Sequence, residues 1–275
     1  MLDGRDPRRG GGIRLYADED AGTPENLEEE FWPIIRALLD NLLLQERGAL
    51  SKAAALIADR MATGGQVFVY DTGHMLEREL IHRAGGLVAW APFSFRLDLN
   101  TALIHEAPQT PPDPSDEVLG AFVGYALEAS GMTSGDVLLL ASVTGSRPVP
   151  VELALQAQAR AVPVIGLTSP TFANAVPARH PSGRRVLDVA DVVIRNDGVV
   201  GDAAVSVPGV PHAVAPTSGI TAAVLAWSLV ERVTRLLTAR GNPPAVVESM
   251  NLPGAPDRNR ARAELFRRER EKRGG

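Results

Sequence analysis

Cysteine is absent from all 275 residues, which excludes disulfides and thiolate metal sites and fits a reducing cytoplasm. Stability therefore has to come from packing. A hydrophobic content of 45% at this length can fill one large α/β domain or two small ones. No apolar run approaches the roughly 20 residues that a membrane span needs. The opening MLDGRDPRRGGGIRLYADED carries charges where a secretory signal would carry an apolar core, so a cytosolic protein with no membrane partner is expected. Excess positive charge is lacking as well: the formal net charge is -5, which argues against a nucleic-acid partner. The one basic cluster, RNRARAELFRREREKR, alternates with Glu264, Glu269 and Glu271 and reads as a solvated helical tail. No two histidines stand at metal-ligand spacing, and neither GxGxxG nor a P-loop GK[ST] occurs, so no metal, nucleotide or other cofactor is expected.

What is present is an alternation of short apolar runs and helical stretches. Residues 1–22 are rich in Gly, Arg and Asp and read as a disordered leader. Thr23 and Pro24 form a helix start, and the apolar spacing that follows predicts helices over 23–63, kinked or divided at Pro33 and Gly48. The runs QVFVY (66–70), LVAWA (87–91), DVLLLAS (136–142), VPVIGLT (162–168) and DVVIRN (191–196) are apolar on both faces. Separated by amphipathic helices, they predict about five parallel strands in one doubly wound, three-layer α/β/α domain over 64–245. A long helix (217–239) ends at Gly241 before NPP, and a tail helix is expected within 246–275. The proline-rich 92–114 reads as a long loop.

In such a sheet, ligands bind beyond the carboxyl ends of the strands, where helix N-termini favour anions. Three strand ends carry suitable turns: DTGH after the first run, SVTGSRP after the third and TSPT after the fourth. The second is the richest. Ser142, Thr144, Gly145 and Ser146 supply hydroxyls and free amides, with Arg147 beside them and a proline-led helix behind. That set makes either a neutral nest for a phosphate monoester or an ordinary helix cap.

The segment SVTGSRPVPVELALQAQARAVPVIGLTS resembles the phosphosugar-binding segment of SIS (sugar isomerase) domains, whose serine/threonine-rich S-x-[ST]-G turn holds the sugar phosphate. GHMLERELIHRAGGLVAWAP, ARHPSGRRVLDVADVVIRNDGVVGDA and APTSGITAAVLAWSLVERVTRLL resemble bacterial SIS-domain phosphosugar or phosphoheptose isomerases, so that the resemblance spans roughly residues 30–260. It implies phosphate and sugar contacts from Thr72, Gly73, Ser142, Thr144, Gly145, Ser146, Arg147, Thr168, Ser169, Thr217 and Ser218. The chain departs at DTGH, which is about two residues shorter than the GTGHSH-like turn of relatives and has Asp71 in place of a glycine. Val143 and Ser146 also stand where relatives carry other polar residues.

Enzymes of this kind remove the proton at C2 of an open-chain sugar, which takes a base within reach of C2 and a donor at the developing oxyanion. The resemblance to sedoheptulose 7-phosphate isomerases matches their glutamate-bearing A-E-L string to REL here and so implies Glu79 as base. Glu77 falls on another helical face and is the lesser candidate. His74 is a candidate donor. His180, in the irregular ARHPSGRRV, is a second catalytic candidate, and Arg179, Arg184 and Arg185 bind substrate or solvate the loop. His82 reads as packing; His105 and His212 have weak cases. The tail ESMNLPGAPDRNRARAEL loosely resembles the end of N-acetylmuramic acid 6-phosphate etherases, with Asn251 and Asn259 at its asparagine pair. An N-acetylated C2 cannot become a ketone, so the implied outcome is elimination at C3 of an amino-sugar 6-phosphate such as N-acetylglucosamine 6-phosphate. Aldose-ketose isomerisation and a non-catalytic phosphosugar sensor are the alternatives. The apolar helix starting at Phe31 and Trp32 predicts a homodimer with sites shared between subunits.

Overall fold

The computed structural model describes residues 29–73, 76–96 and 115–272. His74, His105, the 1–22 leader, the Thr23–Pro24 helix start and most of the 92–114 loop lie outside them. Two helices open the described chain, α1 (Phe31–Gln45) and α2 (Arg47–Ala62). The expected break at Pro33 or Gly48 falls instead at Glu46. A proline in the first helical turn gives up an N–H that has no partner there, so Pro33 starts α1 rather than kinking it, and Gly48 sits in the first turn of α2.

The sheet follows as β1 (Val67–Asp71), β2 (Trp90–Pro92), β3 (Val137–Ala141), β4 (Val164–Thr168) and β5 (Val192–Arg195), all parallel, in the order β2-β1-β3-β4-β5. It is joined by α3 (Glu77–Leu80), α4 (Asp116–Ala129), α5 (Pro148–Ala159), α6 (Pro170–Ala175) and α7 (Val186–Val189). Strand periodicity splits the core in two. Val67, Val69, Val137, Leu139, Ile165 and Leu167 face α2 and the long α8 (Ser218–Ala239), while Phe68, Leu138, Leu140 and Val164 face α4, α5 and α7. Both faces are covered, which is why the strands carry no polar stripe. The second strand is shorter than LVAWA predicts: Leu87 leaves it to pair with Val246. An antiparallel hairpin of β6 (Ala203–Val205) and β7 (Val214–Pro216), absent from the sequence reading, precedes α8. Among the described residues no helix is long and apolar enough to cross a membrane.

The last helix, α9 (Ala255–Lys272), is held to the amino end of the sheet by one buried ion pair. Asp136, fully buried, accepts from Arg270 Nη2 at 2.8 Å, from the Gln66 and Thr133 amides and from the Thr133 hydroxyl. Burial alone would raise this carboxyl, but the Arg270 hydrogen bond and the two amides hold it below its ordinary value. The Arg270 guanidinium also lies over the Phe68 ring. A carboxyl depressed in the fold contributes stability above its unfolded value, near 3.8, and loses it as pH falls through the lower folded value. Arg270→Ala leaves Asp136 buried with three donors and is expected to cost about 2 kcal/mol. Urea unfolding checks the size, and it should show the variant's deficit shrinking as Asp136 titrates below that pH.

Candidate functional site

The strand order reverses between β1 and β3, and the crevice beyond their carboxyl ends is where an open parallel sheet takes a ligand. The β3–α5 turn over residues 142–147 forms one wall. Three of its carbonyls have donors from neighbouring segments. Val143 O accepts from Ser169 N at 2.7 Å and Thr168 Oγ1 at 3.0 Å, Gly145 O from Val186 N at 2.9 Å, and Ser146 O from Arg179 N at 2.9 Å. In a planar trans peptide N–H and C=O point in opposite directions. Because these three carbonyls are bonded toward β4 and the 179–186 segment, the amides of Thr144, Ser146 and Arg147 lie on the other side of their peptides, and the Ser146 amide donates to Thr144 Oγ1 at 3.4 Å. Gly145, at φ +54°, permits the bend, and a Cβ there would stand 2.9 Å from Val186 Cβ. The Thr144 and Ser146 hydroxyls lie 2.9 Å apart on the same turn. The helix behind adds less than a usual N-terminus does, because Pro148 and Pro150 lack N–H groups.

The other strand-end turns are already filled by the chain's own carboxylates. Asp71 accepts from the amides of Gly73 at 3.0 Å, Leu76 at 2.6 Å and Glu77 at 3.4 Å, which caps α3. Asp197 takes the Ser169 hydroxyl and the Thr171 amide and hydroxyl, and pairs with Arg195. Asp202 accepts from Thr217 N at 3.1 Å, Ser218 N at 2.8 Å and Ser218 Oγ at 2.8 Å, at the N-terminus of the longest helix. Such positions favour anions, and here the anion is internal. Thr217 and Ser218, expected as phosphate contacts, are thus capped by Asp202. Thr168 and Ser169 support the β3–α5 turn from behind: Thr168 Oγ1 donates to Val143 O, and Ser169 Oγ caps α6 through Phe172 N. Ser142 and Ser146 are buried within the turn.

Two openings flank this wall. A crevice of about 260 Å³ is lined by Tyr70, Thr72, Phe95, Phe122, Arg147, Pro148, Val149 and Pro150. Burial first, and then the charge of Asp71, push the Tyr70 phenol to about 12, so it stays a neutral hydroxyl. Four of the chain's seven phenylalanines, Phe68, Phe93, Phe95 and Phe122, join Tyr70 in one cluster with ring centroids 5.1–6.3 Å apart. Nothing in their sequence spacing announces this gathering, since it is made by β1, the end of β2 and α4 meeting. The second opening, about 830 Å³, is lined by Gly73, Glu77, Arg78, Ser94, Phe95 and Arg96. Phe95 lines both.

The carboxylate that faces this opening is Glu77, whereas the resemblance implies Glu79 as base. Glu79 is turned into the fold: its Oε1 accepts from Trp227 Nε1 at 3.1 Å and its Oε2 pairs with Arg83 at 3.1 Å. The two glutamates leave the short helix in different directions, and Trp227, the partner of Glu79, lies on α8. The second catalytic candidate is His180. It is buried, with Nε2 3.0 Å from Glu152 Oε2 and Nδ1 2.8 Å from Ser182 Oγ, so both ring nitrogens are taken up by the chain. Arg185 braces the same loop through the Ala173 and Val176 carbonyls, whereas Arg184, His82 and His212 are exposed. Asn259 brackets the Glu248 backbone, donating to its carbonyl and accepting from its amide at 2.9 Å each, and Asn251 lies in an exposed turn.

The SIS domain family model matches residues 30–169. A UPF0309 protein of Shouchella clausii is 32% identical over 239 residues, covering 86% of this chain and 95% of its own. A UPF0309 protein of Streptomyces griseus is 30% identical over 239 residues, covering 85% and 92%. Among solved structures, phosphoheptose isomerase GmhA from Neisseria gonorrhoeae superposes with a TM-score of 0.45 at 17% identity, over 72% of this chain and 90% of its own.

The close approach of Val186 makes Gly145 the least replaceable residue of the turn. Gly145→Ala should cost about 2–4 kcal/mol, from the left-handed backbone plus the clash. Urea unfolding reads this, with Gly73→Ala, which meets nothing within 4 Å, as the near-neutral control.

Proposed function

The chain belongs to the SIS-domain family, and from that premise we propose that it binds a sugar phosphate between β1 and β3 and removes the proton at C2 with Glu77. The observation that carries this reading is the β3–α5 turn. Three of its carbonyls are bonded away on one side, and it is the one described strand-end turn, of those carrying anion-binding chemistry, that no aspartate among the described residues fills. A phosphate monoester there is held by the Thr144, Ser146 and Arg147 amides, the two hydroxyls and the Arg147 guanidinium. The sugar then reaches past Thr72 and Phe95 to Glu77 and Gly73.

The chemistry at the far end follows from the groups there. The Glu77 carboxylate takes the C2 proton, and Arg78 or Arg96 stabilises the negative charge that grows on the C1 oxygen. What happens next depends on C2. With an N-acyl group there, the electron pair moves toward C3 and expels its hydroxyl, and the proton taken from C2 leaves with that hydroxyl as water. Phe95, the apolar side chain that lines both openings, offers a surface for an N-acyl methyl at C2. We therefore read the protein as a dehydratase or lyase of an N-acylated amino-sugar 6-phosphate. The exposed Trp32 and Leu44 of α1 support pairing with a second copy, with the site near the subunit boundary.

Proton NMR of N-acetylglucosamine 6-phosphate with the protein in deuterated water tests this. Loss of the C3 oxygen with solvent exchange at C2 is the expected result. A ketose product from glucose 6-phosphate would make it an isomerase, and binding without exchange over a panel of sugar phosphates would make it a sensor. Glu77→Gln should lower exchange by about a thousandfold. Glu79→Gln should retain exchange and lose about 1 kcal/mol of stability through the Trp227 and Arg83 contacts.

A further inference from the structure

His180 is the most completely engaged imidazole of the described chain, and its partners lead to the phosphate turn. Ser182 N can only donate, and it donates to Nδ1 at 3.1 Å. Nδ1 therefore carries its lone pair, and the ring proton sits on Nε2, directed at Glu152 Oε2 3.0 Å away. Ser182 Oγ, 2.8 Å from Nδ1, accepts in turn from Arg184 N at 3.3 Å. On the other side, Glu152 Oε1 accepts from Gln156 Nε2 at 2.7 Å, and the same amide group reaches Gly120 O of α4 at 2.8 Å. A continuous polar chain thus runs from α4 through α5 to the 180–184 loop.

The residues on either side of this chain hold the turn. Arg179, adjacent to His180, gives its N–H to Ser146 O, and Val186, at the loop's end, gives its N–H to Gly145 O. Glu152 stands on α5, the helix into which the turn runs. The His180–Glu152 bond therefore closes a triangle of turn, helix and loop. Two of the three carbonyls that must point away from the crevice depend on a loop fixed to α5 at this point.

We infer that His180, through its Nε2 bond to Glu152, is a positioning residue that keeps the Gly145 and Ser146 carbonyls turned back and so keeps the anion-binding amides aimed into the crevice. This rests on the sugar-phosphate reading for its consequence, but not for its mechanics, which the free protein displays on its own.

The test uses the full chain with inorganic phosphate as probe, titrated by calorimetry, together with amide hydrogen exchange resolved by segment. His180→Ala and Glu152→Ala should each weaken phosphate binding about fivefold or more, the scale of one lost hydrogen bond. Each should speed exchange over 143–147 and 179–186 while β1 and β3 keep wild-type protection. The double variant should lose no further phosphate affinity, because the His180–Glu152 bond is already absent from either single one. His180→Gln, whose amide can donate where Nε2 does, should restore binding to within about twofold. If His180→Ala does not fold, Glu152→Ala carries the same test from the helix side. Unchanged phosphate affinity and unchanged local exchange in the alanine variants overturn the inference alone. Exchange that rises equally throughout the sheet also overturns it, by making His180 a general stabiliser. Failure of the wild type to bind phosphate overturns both it and the sugar-phosphate reading.

Discussion

The site depends on where three backbone carbonyls point. Val143, Gly145 and Ser146 each have a donor behind them, from Ser169 and Thr168, from Val186 and from Arg179. With planar peptides, that fixes the opposite face of the turn as donors. A loop free to rotate those peptides would present a mixture of oxygens and amides, and an anion would have to reorder it at binding. Here the ordering cost is met in folding, by bonds that the buried backbone needs in any case. The glycine at φ +54° is the one conformational concession.

The aspartates at the neighbouring turns extend the same logic. A cluster of amides at a strand end must be satisfied by something, and Asp71, Asp197 and Asp202 do it from within the chain. An intramolecular carboxylate holds such a place without paying the association cost of a free anion, so those turns are closed to phosphate. Asp71 also brings negative charge close to the crevice and to Glu77. Arg147 at one opening and Arg78 and Arg96 at the other oppose it. The site is thus electrostatically mixed rather than a basic patch, which agrees with a chain of net charge -5.

Much of the frame was legible because strands buried on both faces leave a plain signature. Five apolar runs read from the sequence became five parallel strands, with SVTGSRP in the turn after the third of them. Three things were not legible, and for a shared reason: each depends on a partner distant in sequence. Glu79 meets Trp227 on α8, His180 meets Glu152 on α5, and Phe95 meets Phe122 on α4. Periodicity says which way a side chain leaves its own element, not what stands opposite. The partner of Thr217 and Ser218 was hidden in the same way, because Asp202, at φ +69° in the turn before β6, reaches back over the helix they begin.

The DTGH turn finds a physical account in Asp71. It brings the Gly73, Leu76 and Glu77 amides within reach of one carboxylate at the last position of β1. Glycine at that position could not supply the cap. Because the Glu77 amide is one of the three, the cap fixes the backbone from which the Glu77 side chain departs, while Leu76 and Leu80 bury the opposite side of the same short helix. A four-residue helix has almost no intrinsic stability, so its orientation is set from its two ends: Asp71 beneath the first turn, and Glu79 tied to Trp227 on α8. The two glutamates of EREL therefore divide the work by geometry. The one bound to α8 holds the helix in place, and that placement is what leaves the other facing the cleft.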